Sequence, residues 1–114
     1  MGSPLVTIDV AHPPLRPREL ETVLLESWGA VRNSPHLHVL KVIHGYGSSG
    51  TGGALRREVR NWAFAHRKHF RGIIEGEEYD LSMDIIRELR KEVGTYPDAD
   101  LSAGNPGITI IWVK

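Results

Sequence analysis

His44 stands before a run in which five of nine residues are glycine (Gly45, Gly47, Gly50, Gly52 and Gly53). Arg56 and Arg57 stand behind it, in the stretch IHGYGSSGTGGALRR from Ile43 to Arg57. Glycines at that density let a backbone approach a ligand closely, because no Cβ intervenes. The N–H groups of such a turn, followed by a helix N-terminus, make a site for an anion. Arg56, Arg57 and Arg60 fall in the first turns of the helix expected next. Basic groups at the positive end of a helix oppose its dipole, so a phosphate or nearby acids must compensate. His44 has a side chain suited to general acid or base work near neutral pH. Asp9, at the end of an earlier apolar stretch, is expected to orient it or to help hold a divalent cation such as Mg2+. Tyr46, at the tip of the loop, is placed to stack on a base.

Three ligand classes compete for the glycines. Gly45 to Gly50 match G-x-G-x-x-G between a strand and a helix, with Glu75 at a suitable distance for a dinucleotide site. Against that, Thr51-Gly52-Gly53 is expected to delay the helix, and a two-halved dinucleotide fold needs a longer chain. A mononucleotide phosphate loop needs lysine where Thr51 stands. A nucleic-acid phosphate uses more of the residues, because it also employs the arginines.

The elements that must position these groups follow from periodicity. Leu5 to Val10 and Leu37 to Ile43 read as buried strands. Between them, three prolines in AHPPLRP make a rigid connection. Pro17 suits the first turn of a helix running from Arg18 to Val31, with Leu20, Val23, Leu24, Trp28 and Val31 on one face. A second helix buries Leu55, Val59, Trp62 and Ala63. A short strand, Gly72 to Ile74, leads into the acidic stretch EGEEYD, read as a solvated loop rather than a metal site. A third helix is expected over Leu81 to Val93, and a final strand over Ile108 to Val113. The fold class is therefore α/β with a mixed four-stranded sheet. Its first three strands are parallel because helices connect them, and the direction of the last is not encoded.

The 114 residues suit one domain spanning the whole chain. The absence of cysteine excludes disulfides and thiolate chemistry. The N-terminal residues do not have the pattern of a signal peptide and no apolar run is long enough to span a bilayer. A cytoplasmic monomer is expected. Net charge is zero, but Ala54 to Arg71 carries six basic residues against one acid, and Glu75 to Asp100 nine acids against three bases. A basic side and an acidic side should result.

The residues from Val42 to Arg56 also resemble the H-G-x-G-x-G…L-R motif of the Smr (small MutS-related) domain, in a variant with a longer glycine-rich loop. Ile8-Asp9-Val10 is similar to the start of that family's L-D-L-H-G motif, and Asn105 to Val113 to its final glycine-led strand. The resemblance implies a two-layer α/β sandwich similar to the C-terminal domain of bacterial translation initiation factor 3. It implies binding of DNA or RNA and, in several members, nicking or RNA-cleaving endonuclease activity. His44, Gly45 and Gly47 take the positions of the second motif and Asp9 that of the first. Where the first motif has histidine then glycine, this chain has Ala11 then His12, so His12 replaces the missing histidine only if the chain bulges by one residue. Catalysis would then fall to His44, Asp9 and His12, and phosphate binding to Gly45, Tyr46, Gly47, Gly50, Gly52, Gly53, Arg56, Arg57 and Arg60. A binding module without cleavage would use the same loop and helix.

Overall fold

The computed structural model describes residues 3–46 and 51–114. Strand β1 (Leu5–Asp9) is followed by helix α1 (Pro17–Asn33), strand β2 (Val39–Ile43) and helix α2 (Thr51–Ala65). Strand β3 (Gly72–Glu75), helix α3 (Asp84–Val93) and strand β4 (Ile108–Trp112) complete the order. Pro17 occupies the first position of α1, where its missing N–H has no intrahelical partner. The Glu19 carboxylate reaches back to accept the Arg16 N–H at 3.1 Å.

The sheet order is β1-β2-β4-β3. β1 lies parallel to β2, while β4 is antiparallel to both β2 and β3. β1, β2 and β3 thus point the same way, as their helical connections require. β4 is inserted between β2 and β3, so β3 is not a neighbour of the parallel pair β1 and β2. The five residues of β4 are all buried and apolar but for Thr109, a strand suited to a central position but carrying no signal of direction. α2 begins at Thr51, so Thr51-Gly52-Gly53 does not delay the helix as its composition suggests.

Each face of the sheet has its own core. Val6, Ile8, Leu40, Val42 and Ile111 pack beneath α1 and α2, with Leu20, Leu24, Leu55 and Val59 above them. Val39, Ile74, Ile108, Ile110 and Trp112 pack on the opposite face, with Ile86 and Leu89 of α3. Side chains alternate along a strand, so His44 and Thr109 fall on the α1/α2 face and Lys41 and Asp9 on the other.

α3 starts three residues later than its apolar spacing suggests. The Asp80 carboxylate accepts the Ser82 N–H at 2.8 Å, closing a turn that the helix cannot include, and Leu81 is left exposed. No helix among the described residues is long and apolar enough to cross a membrane.

Candidate functional site

The carboxyl ends of β1, β2 and β3 lie along one edge of the sheet, together with the start of β4 and the N-terminus of α2. Open α/β sheets bind ligands at such an edge. Asp9, His44 and Glu75 end or follow the three strands there.

His44 is wholly buried. Its backbone N–H donates to the Gly107 carbonyl at 2.9 Å, and that carbonyl also accepts the Gly45 N–H at 3.0 Å. Gly45 has φ +73°, a conformation that favours glycine. Both ring nitrogens are engaged. Nδ1–H donates to the Gly45 carbonyl at 2.5 Å, and Nε2 accepts from the Thr109 hydroxyl at 2.8 Å. The partners fix this tautomer, since a carbonyl only accepts. Burial holds the imidazole pKa below its ordinary value, and the charges of Arg60 and Arg56 add to the effect against the opposing Gly45 hydrogen bond. The ring is thus a neutral part of the interior, with neither a free nitrogen nor a face toward solvent.

Thr109 in turn accepts from Arg60 Nε at 3.0 Å. The Arg60 guanidinium reaches Glu75 at 2.9 Å, Glu77 at 2.7 Å and the Ile108 carbonyl at 3.1 Å. The Arg60 hydrogen bond, against partial desolvation, keeps the Glu77 carboxyl below its ordinary pKa. Of the two compensating partners expected for the helix arginines, phosphate or nearby acids, Arg60 takes the protein's own acids, so this guanidinium is engaged internally. One expectation is corrected here: EGEEYD is not a solvated loop throughout. Gly76–Glu78 forms a 3₁₀ turn against β4, while Tyr79 is buried. A Cβ on Gly76 would lie 2.0 Å from the Asn105 carbonyl oxygen and 2.5 Å from Ile108 Cγ1, so only glycine permits this contact.

Asp9 does not orient His44; the two leave opposite faces of the sheet. Its carboxylate instead accepts the Ala11 N–H at 2.8 Å and the His12 N–H at 3.1 Å, and it meets His12 Nδ1 at 2.9 Å. Partial burial raises the Asp9 pKa, but these hydrogen bonds and the imidazole outweigh it, and the net shift is downward. The chain folds back at once, Ala11 bridging to Pro14. The turn carries His12 outward, its side chain about three-quarters exposed. The result is a carboxylate–imidazole dyad with Nε2 open to solvent. Both Asp9 oxygens contact His12, which leaves the carboxylate poorly disposed to hold Mg2+. Among the described residues, no group of three His, Asp or Glu is arranged around a common cation position.

Arg56 is half-buried and Arg57 exposed in the first two turns of α2, and Tyr46 is 56% exposed. Neither arginine makes an ion pair among the described residues. Gly47 and Gly50, expected to bind phosphate, lie outside the described residues. Gly52 and Gly53 fall within the first turn of α2. The expected basic side is interrupted, because Arg71 pairs with Glu92 as Arg60 pairs with Glu75 and Glu77.

Sequence reasoning missed a polar group on the other face. Lys41, buried in the middle of β2, donates to Asp98 at 2.7 Å and also pairs with Asp100. The Tyr79 hydroxyl donates to Asp98 at 3.0 Å and lies 3.1 Å from that of Tyr96. Asn105 donates to Asp100 at 3.0 Å. The signal was a lone lysine in LHVLKVI with two aspartates in the loop before β4. The group anchors that loop to the sheet, and with it the Gly107 carbonyl that holds His44.

The chain matches no family model and no curated protein. Its structure is similar to the Smr domain of MutS2 from Thermus thermophilus. The TM-score is 0.55 at 18% identity, over 96% of each chain. The fold is therefore Smr-like.

Proposed function

We propose that this chain binds nucleic acid at the sheet edge beside Gly45 and the first turns of α2. The supporting observation is the contrast among the arginines. Arg60 and Arg71 are neutralised by the protein's own carboxylates, whereas Arg56 and Arg57 make no such pair among the described residues and stand at the helix N-terminus. A phosphate there meets backbone N–H groups, a favourable dipole and two guanidinium groups. Tyr46 adds an exposed ring for a base. The Smr-like fold agrees with this reading.

The dyad favours a second activity, cleavage of the bound strand. With RNA, His12 Nε2 takes the proton of a 2′-hydroxyl. The 2′-oxygen then attacks the adjacent phosphorus and forms a bond to it. The bond from phosphorus to the 5′-oxygen breaks, that oxygen takes a proton from solvent and leaves as a 5′-hydroxyl, the protonated His12 returns its proton to solvent, and a 2′,3′-cyclic phosphate remains. Asp9 holds the imidazole in the tautomer that keeps Nε2 free and stabilises it when charged. DNA requires a water in place of the hydroxyl. His44 takes a positioning role in this scheme, fixing the start of the loop.

The test is incubation with labelled single-stranded RNA, duplex DNA and branched DNA, with and without magnesium, scored for retention and for cleavage. Retention that is lost in Arg56→Ala/Arg57→Ala supports the interface. Cleavage lost in His12→Ala but kept in Arg18→Ala supports the dyad. Retention without cleavage leaves a binding domain.

A further inference from the structure

We propose that the outer face of α2 is a track for a single nucleic-acid strand, ending in a base-stacking platform made by Phe64 and Arg67. The inference rests on the binding reading above and extends it away from the glycine run.

Arg57, Asn61 and Phe64 recur at four and three residues, so they form one stripe along the helix. All three are exposed, opposite the buried Leu55, Val59 and Ala63. The stripe begins beside the proposed phosphate site and runs about 10 Å along the axis. Phe64 closes it, 61% exposed and thus the most exposed large apolar residue described. A lone exposed phenylalanine is ordinary; the surroundings distinguish this one. The Arg67 guanidinium carbon lies 4.1 Å from the centre of its ring, and its NH1 donates to the Phe64 carbonyl at 2.9 Å. One face of the ring is therefore covered by a fixed cation, which leaves the other for a base and a charge beside it for the phosphate.

The charge along the stripe is one-sided. Positions 57, 61, 64 and 67 include two arginines and no acid. The acids on the flanks face elsewhere. Glu58 lines the cleft against Pro17, Leu20 and Leu24 of α1, and Glu75 and Glu77 are held by Arg60. A cationic track beside an aromatic ring on which a base can stack is the combination by which proteins hold a single strand. A duplex hides the faces of its bases, so it cannot use the platform.

The experiment measures binding of labelled oligouridylate and oligodeoxythymidylate over a series of salt concentrations. The proteins are wild type, Phe64→Leu, Phe64→Trp, Arg57→Ala and Arg56→Ala/Arg57→Ala, each checked for an unchanged melting temperature. Phe64→Leu keeps an apolar side chain but loses stacking. It is expected to bind about five- to a hundred-fold more weakly at an unchanged salt slope. Phe64→Trp should restore binding, and Arg57→Ala should reduce the slope by about 0.7. A Phe64→Leu protein that binds like wild type, while the double arginine variant loses binding, overturns the track and leaves the interface. Absence of binding by the wild type overturns both.

Discussion

The carboxylate of Asp9 and the imidazole of His12 meet at 2.9 Å in a turn that begins where β1 ends. The same carboxylate accepts the Ala11 and His12 N–H groups, so capping the turn and orienting the ring are one arrangement. His12→Ala is expected to lower any RNA cleavage by about 10²- to 10⁴-fold with binding unchanged. Asp9→Asn should lower cleavage less, because it alters the tautomer without removing the base. Measured rates with bound substrate in excess check this; equal cleavage by wild type and His12→Ala would remove the dyad from the mechanism.

His44 makes a different prediction. Its folded-state pKa is depressed, so the unfolded chain binds a proton more readily. Stability should therefore fall as pH drops below about 6.5, the unfolded value, until the folded pKa is passed. Urea melts between pH 5 and 8 should show this slope, and His44→Gln should flatten it. A slope of equal size in His44→Gln would place its origin elsewhere.

The buried Lys41 cluster acts at lower pH. Lys41 holds the Asp100 carboxyl below its ordinary pKa, against partial desolvation. A depressed carboxylate contributes stability above its unfolded pKa, and that contribution is lost as pH falls through the folded value. Acid unfolding below about pH 4 should include this loss. Lys41→Met leaves Asp98 and Asp100 without their cation and should cost about 3–5 kcal/mol at neutral pH. Denaturant unfolding at pH 7 checks it; a loss below 1 kcal/mol would contradict a structural role for the cluster.

Gly76 admits no side chain. Gly76→Ala must displace the Asn105 and Ile108 backbone or the 3₁₀ turn, at a cost of about 1–3 kcal/mol or more. The turn carries Glu77 to Arg60, so the same substitution should also shift the His44 ring resonances. A neutral substitution with unchanged resonances would argue against this coupling.

How much was legible depended on what each residue's signal encodes. The stripes of α1 and α2 and the apolar strands follow from period alone, and the buried faces of the two helices were read correctly. The place of β4 was not legible, because a fully buried strand lacks the alternation that would mark a face and carries no direction. Glu75 and Glu77 looked like a solvated run because their partner, Arg60, lies far back in sequence. Asp9 and His44 were expected together because both end strands at one edge. The missing information was pleat parity, which the register of Asp9 with Ile43 supplies. His12 was legible as an alternative to the absent family histidine, and the turn that presents it came only with the structure.

The central claim is that Arg56 and Arg57 hold phosphate. The most direct test is the affinity of a labelled single-stranded RNA for wild type and for Arg56→Ala/Arg57→Ala from 50 to 300 mM salt. The wild type should show a steep logarithmic salt dependence, and the double variant should lose about 1.4 from the slope, two contacts at about 0.7 each. An unchanged slope and affinity in the double variant would contradict the site.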